Sequence, residues 1–322
     1  MQSIAERYRT FAWVEAHGVS ARYEALADLV ADTPEALAFL SELPVEKQQP
    51  NLFFAALRQT AGLPRNARQL RDQLALRGNA VRQVMLTRTT QTNEPGRCAV
   101  LVPVLAGLGG PLALLEVGAS AGLCLLPDRY AYAYGGHTIA PRESGSARAP
   151  EFPCDARGGI PLPAATPEIV WRAGLDLNPL DVRLPEDRAW LRALVWPDQP
   201  ERAERLDEAL TVAARNPPRV LKGDLLTDLS PIVASAPSSA RLVIFHTAVL
   251  AYISDVAVRR DFAEQMAGLD AVWICNESPN VFPEWAERAP PSPGPDWFLL
   301  AVDGEPVAWT KPHGQAISWF GS

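Results

Sequence analysis

Apolar positions along this chain change their spacing near residue 95, and the change divides it. From residue 1 to about 95 they recur every three or four positions with no convincing alternation, which predicts helices. Ile4, Tyr8, Phe11, Ala12 and Val14 make one apolar stripe that ends at His17-Gly18. Ser20 is placed to cap a second helix through Tyr23, Leu26, Ala27, Leu29 and Val30. Thr33-Pro34-Glu35 supplies a cap, a first-turn proline and an acid for a third. Residues 51–61, 66–76 and 79–88 read as three more, with Tyr23, Phe53 and Phe54 on buried faces. This is an all-α N-terminal domain or lid over residues 1–95.

From residue 96 onward the apolar residues gather into short runs, each closed by glycine or a polar group. Residues 112–117, 169–177, 219–222, 240–246 and 271–277 suit buried parallel strands, and 185–196, 201–214 and 261–269 suit helices between them. Tyr130 to Tyr134 alternates as a further strand that turns at Gly135-Gly136, and residues 137–167 read as a loop or small hairpin insertion. Asp303-Gly304 sits between two late apolar runs, so the closing strands are expected to be antiparallel. Strand alternating with helix predicts an α/β fold over residues 96–322. Its form is a Rossmann-like, mostly parallel sheet with helices on both faces and antiparallel C-terminal strands.

The stretch Leu112 to Gly122 organises this half. An apolar strand ends at Glu116, and Gly118, Ala119, Ser120, Ala121 and Gly122 form a tight turn where a ligand can approach the backbone. A short helix through Arg129 is expected to follow and to aim its free N–H groups at that ligand. Sheets of this kind bind ligands outside the carboxyl ends of their strands. Those ends carry Glu116 with its turn, then Asp176, Asn178 and Asp181, then Asp224, His246 and Asn276-Glu277. His246 is the candidate general base because its ordinary pKa lies near neutrality; the alternative is a hydrogen-bonded structural histidine. Asp181, Asn276 and Glu277 are candidates to orient an amine or hydroxyl substrate. Arg172 is suited to grip a carboxylate or phosphate, or else to pair with Asp176 or Glu168. The polar run Gln91, Thr92, Asn93, Glu94 and then Arg97 is either a solvated loop or a segment folded back over the crevice toward a substrate.

Composition narrows the function classes. A net charge of -7 over 322 residues gives no reason to expect a nucleic-acid-binding face, and points to a small-molecule partner. No apolar stretch has membrane-spanning length and the first residues are already charged, so a cytoplasmic protein is expected. Cys98, Cys124, Cys154 and Cys275 share no metal-binding or disulfide spacing; reduced, buried thiols and no metal site are expected.

Leu115-Glu-Val-Gly-Ala-Ser-Ala-Gly122 resembles the first motif of class I S-adenosylmethionine-dependent methyltransferases, and Lys222-Gly-Asp224 resembles their third-strand acid. The closing hairpin is similar to their antiparallel final strands. With Gln91 to Glu94, Arg172 to Asp181, Leu194 to Gln199 and Phe245 to Tyr252 added, nearly the whole chain resembles an uncharacterised bacterial family, domain of unknown function 2332. The resemblance implies S-adenosylmethionine as cofactor and an unidentified small molecule as methyl acceptor. Glu116, or the backbone near Gly118, would hold the methionine end, Asp224 the adenine, and an acid closing the second strand the ribose.

Two departures stand out. Ser120 replaces the usual middle glycine. If the second strand is Tyr130 to Tyr134, no acid closes it; if it is Ile169 to Leu177, Asp176 fits after a long insertion, and Glu143 is a third candidate by spacing. Two rival readings remain. One is another nucleotide such as NAD, against which Ser120 and Leu123 break the Gly-x-Gly-x-x-Gly spacing; the other is a non-catalytic binding protein on the same fold.

Overall fold

The computed structural model describes residues 2–91, 93–142 and 149–321. The chain forms two compact units, one of residues 1–92 with 184–204 and one of residues 93–183 with 205–322.

The first unit is helical: Ile4–Phe11, Ala21–Ala31, Pro34–Ser41, Pro50–Thr60, Ala67–Thr87 and Pro185–Leu194, with no strand among its described residues. Ser20 caps the second helix by accepting the Tyr23 N–H at 3.1 Å. Thr33 does not cap the third; its hydroxyl donates to the Leu29 carbonyl instead. Residues 66–76 and 79–88 belong to one helix, not two. Gly78 lies on its buried face beside the Phe39 ring, 3.6 Å from where a β-carbon would stand, an ordinary contact distance, and the helix runs on through it. That tolerance costs about 1 kcal/mol of helix propensity. Tyr23 packs edge-on against Phe54, with ring centroids 5.0 Å apart, and Trp190 donates to the Thr89 carbonyl at 3.1 Å.

The second unit is a mixed α/β fold built on a large, mostly parallel sheet. Its strands are β1 (Pro111–Val117), β2 (Ala131–Tyr134), β3 (His137–Ile139), β4 (Glu151–Pro153), β5 (Asp155–Arg157), β6 (Glu168–Asp176), β7 (Arg219–Lys222), β8 (Arg241–Thr247), β9 (Val272–Glu277), β10 (Phe298–Val302), β11 (Glu305–Thr310) and β12 (Ala316–Trp319). Nine form one sheet in the order β5-β12-β11-β10-β9-β8-β1-β6-β7, while β3, β2 and β4 form a small separate sheet. Strands β7, β6, β1, β8 and β9 are parallel. The chain builds outward from β1 to β6 and β7, then returns to the other side of β1 for β8. Strand order therefore reverses between β1 and β8, where a crevice opens in open α/β sheets. The last three strands run antiparallel, with Asp303 and Gly304 both at positive φ in the expected turn.

One open alternative is decided and one expectation is corrected. The strand over Tyr130 to Tyr134 is β2 of the small sheet; the strand beside β1 is β6, which closes on Asp176. No α-helix follows the β1 turn, only two 3₁₀ turns at Leu123–Leu125 and Pro127–Arg129. Gly122 is left-handed at φ 73°, and Pro127 arrives before a helical turn can repeat.

One face of β1, β6, β8 and β9 carries Leu115, Val117, Ala173, Leu175, Ile244, Trp273 and Cys275. These pack against Leu229, Ile232, Phe262 and Met266 of the helices Leu229–Val233 and Val256–Ala267. Alternation along the strands, with Glu116 level with Phe245 and Thr247 level with Asn276, puts Glu116, Thr247 and Asn276 together on the opposite face.

Candidate functional site

The turn after β1 is held from three sides. Gly118, Ser120 and Gly122 all have positive φ, at 72°, 52° and 73°; for Ser120 that conformation costs roughly 1–2 kcal/mol. The Gly118 and Ala119 N–H groups donate to the Leu175 carbonyl at 2.8 and 3.2 Å. Asp176 at the end of β6 accepts the Ser120 N–H through Oδ2 and the Asn178 N–H through Oδ1, both at 2.7 Å. Asn93 donates to the Ala119 carbonyl at 3.2 Å and accepts the Leu123 N–H at 3.0 Å.

The space beside the glycines belongs to the chain itself. A β-carbon on Gly118 would stand 2.4 Å from Val249 Cγ2, and one on Gly122 would stand 2.7 Å from Pro218 Cγ. Val249 thus packs against the Gly118 backbone on the side where a side chain would stand.

On the face shared by Glu116, Thr247 and Asn276 lies a buried polar strip. Arg97 donates from Nη1 to the Thr247 carbonyl and hydroxyl at 3.0 and 3.2 Å, and from Nε to the Pro312 carbonyl at 2.9 Å. The Thr310 hydroxyl donates to Asn276 Oδ1 at 2.7 Å. Glu116 is only 3% exposed. Burial pushes its carboxyl well above the usual carboxylate range; nearby Cys124 and Asp176 raise it further, against the pull of Arg97. Glu116 Oε2, Ser120 Oγ and Asn276 Nδ2 are buried with no hydrogen-bond partner among the described residues. Left dry, each would cost about 1–3 kcal/mol, so these atoms mark where a polar ligand or water is wanted.

On the other face, His246 is 0% exposed and meets Glu277 Oε1 through Nδ1 at 2.7 Å. The Trp273 indole N–H donates to His246 Nε2 at 3.0 Å. An indole nitrogen only donates, so Nε2 accepts and the ring proton sits on Nδ1, facing Glu277. In this arrangement His246 has no lone pair to offer a substrate. The same Glu277 oxygen accepts the N–H groups of Val249 at 2.7 Å and Leu250 at 3.1 Å. Glu277 Oε2 is a further buried atom with no partner among the described residues.

The remaining candidates are more dispersed. Asp224 is exposed and accepts the Leu226 N–H at 2.8 Å. Asp181 is clasped by Arg183, whose side-chain and backbone N–H groups hold its carboxyl below the usual range. Asn178 is exposed. Arg172 pairs with neither Asp176 nor Glu168: its fork lies on Asp128, at 2.9 and 3.1 Å, which leaves it no free face for a ligand carboxylate. Glu94 is buried and accepts the Gly96 N–H at 3.1 Å. Gln91 lies in the first unit, whereas Thr92 and Glu143 lie outside the described residues. Sequence reasoning passed over Val249, Thr310 and Asp128. Only Val249 had a local signal, as an apolar residue just beyond a strand that ends in His-Thr.

The four cysteines are free and buried. Among the described residues no cluster of His, Cys, Asp or Glu could hold a metal ion, and no helix is long and apolar enough to cross a membrane. A family model described as "Uncharacterized protein conserved in bacteria (DUF2332)" matches residues 5–319. No curated protein and no solved structure matches the chain.

Proposed function

The chain belongs to this family of uncharacterized bacterial proteins, and we propose that the carboxyl edge around β1, β6 and β7 seats S-adenosylmethionine for methyl transfer to a small molecule. The observation that carries this reading is the strand order. Reversal at β1 brings the Gly118–Gly122 turn, Asp176 and Asp224 to the carboxyl ends of three neighbouring strands. In this reading Asp176 accepts from the ribose hydroxyls. Its two oxygens take the Ser120 and Asn178 N–H groups, which fixes the carboxylate at the end of β6. Asp224 meets the adenine amino group. Glu116 Oε2 and Ser120 Oγ, both lacking partners, can each pair with a polar group at the turn, and Asn276 Nδ2 is a donor for an oxygen of the methyl acceptor.

When bound, the cofactor supplies a methyl group activated on a sulfonium. The chain's own part is to align the acceptor with that methyl and to exclude water. His246 orients Glu277 in this reading and takes no substrate proton.

Thermal melting with and without S-adenosylmethionine and S-adenosylhomocysteine, set against NAD, tests it. A ligand at 100 times its Kd adds about 2.7 kcal/mol, enough to move the midpoint by several degrees. A shift with the adenosyl pair that disappears in Asp176→Ala is expected. No shift, or an equal shift in the variant, overturns the reading. The rival, a non-catalytic binding protein, draws support from one feature: Val249 packs on the Gly118 backbone.

A further inference from the structure

We infer that Arg97 and Asn276 seat the carboxylate of a small organic acid at the carboxyl ends of β8 and β9, and that this acid is the methyl acceptor. The seat stands on the chain's own groups. Only the acid's part as acceptor rests on the adenosyl reading.

Arg97 is 7% exposed, yet no carboxylate among the described residues lies within ion-pair distance of it. Buried arginines are as a rule paired with an acid, because a desolvated charge is costly when left alone. Nη1 and Nε meet the Thr247 carbonyl and hydroxyl and the Pro312 carbonyl, which leaves Nη2 with no hydrogen bond among the described residues. Glu116 is near enough to feel the cation. Burial holds its carboxyl well above the usual range, so it keeps a proton and supplies no counter-charge.

The second donor stands beside the first. Thr247 ends β8 and Pro312 follows β11, with β9 and β10 between those strands, so the guanidinium spans the end of β9. Asn276 lies there, level with Thr247 and on the same face. The Thr310 hydroxyl holds Asn276 Oδ1 at 2.7 Å and so fixes the amide, leaving Nδ2 a buried donor with no partner among the described residues. Arg97 Nη2 and Asn276 Nδ2 can only donate, so the group that completes both is an acceptor. One uncompensated positive charge calls for a monoanion, and the two oxygens of a carboxylate can take one donor each. A phosphate would bring a second negative charge in excess of the one on Arg97. Asn276 is 0% exposed, so the seat takes the acid group alone and the rest of the molecule stays on the solvent side of Arg97.

Ligand-observed NMR titration of the full chain without cofactor, at constant ionic strength, tests the seat with propionate, its neutral amide propionamide and inorganic phosphate. Propionate is expected to bind about tenfold or more tightly than either of the others. That preference is expected to vanish in Arg97→Gln and in Asn276→Asp, which puts a carboxylate of the chain's own beside Arg97. Asn276→Asp keeps the acceptor for Thr310 and carries the test should Arg97→Gln not fold. The seat is overturned if wild type shows no saturable binding of propionate, if propionamide or phosphate binds as well, or if natively folded Asn276→Asp binds propionate like wild type. Repeating the titration with S-adenosylhomocysteine present reads the acceptor role. Propionate affinity equal to or above that of the cofactor-free chain is expected. Mutual displacement would give the seat to the cofactor's own carboxylate and overturn the acid as acceptor. If S-adenosylhomocysteine does not bind while the propionate result holds, the adenosyl reading and the acceptor role fall and the seat is upheld.

Discussion

Glu277 and His246 face each other across β9 and β8 at 2.7 Å, both buried, with Trp273 closing the second ring nitrogen. The contact fixes the neutral tautomer with its proton on Nδ1, since the other nitrogen must accept from an indole. Nitrogen-15 NMR of the imidazole at neutral pH is expected to show that tautomer; a proton on Nε2 would contradict the network. Glu277→Ala strands the Val249 and Leu250 N–H groups as well as the histidine, and is expected to cost about 3–5 kcal/mol in denaturant unfolding. His246→Asn keeps a donor near the Nδ1 position and is expected to lose less than half as much.

Gly118 and Val249 are expected to be coupled. Gly118→Ala brings two penalties: a left-handed alanine, roughly 1–2 kcal/mol, and overpacking against Val249, roughly 1–3 kcal/mol. Val249→Ala in the same chain removes only the second. Unfolding midpoints of the two single variants and the double are therefore expected to give a coupling of about 1 kcal/mol or more. Strict additivity would mean that the neighbours yield without cost.

Where a feature depended on local pattern, the sequence already carried it. Buried strands show as short apolar runs, and the Asp303-Gly304 turn shows its antiparallel hairpin because two-residue turns need φ > 0. The backbone fold of Asn93 and Arg97 toward the carboxyl ends also follows one of the two readings open for that polar run, although both side chains serve the chain's own turns. What could not be read depends on distant partners. Gly78 breaks a helical pattern on paper but faces Phe39, more than thirty residues away. Arg172 has acids near it in sequence yet takes Asp128, which the 3₁₀ turns after β1 deliver. The missing helix after the turn is a similar case: Asn93 satisfies the Leu123 N–H from outside, so no repeating helical turn is needed there.

Asn93 therefore tests how the β1 turn is held. Its amide donates to Ala119 O and accepts from Leu123 N, one side chain bridging both halves of the turn. Asn93→Ala leaves a buried carbonyl and a buried N–H unpaired and is expected to cost about 2–4 kcal/mol. Asn93→Asp retains the acceptor but loses the donor, and is expected to keep the Leu123 contact alone. Hydrogen exchange at Leu123 separates the two variants: fast in the alanine protein, slow in the aspartate protein. Equal protection in both would mean that the turn is stable without the bridge.

Glu116 gives the fold a pH dependence of definite sign. Burial raises its folded-state pKa, so between its ordinary value near 4.5 and the raised value the native chain keeps a proton that the unfolded chain gives up. The unfolded state thus binds fewer protons, and stability falls as pH rises through that interval. Cys124, Asp176 and Arg97 are the charged or ionisable neighbours that set the shift, and only Arg97 opposes it. Glu116→Gln replaces the acid with a neutral isostere. It is expected to leave the melting midpoint at pH 4 to 5 close to wild type and to raise it increasingly toward pH 8. Melting curves of both proteins across that range check the sign. A variant that loses stability at high pH would show that Glu116 is ionised in the fold and paired with Arg97, which would reverse its assignment as a proton-holding acid at the turn.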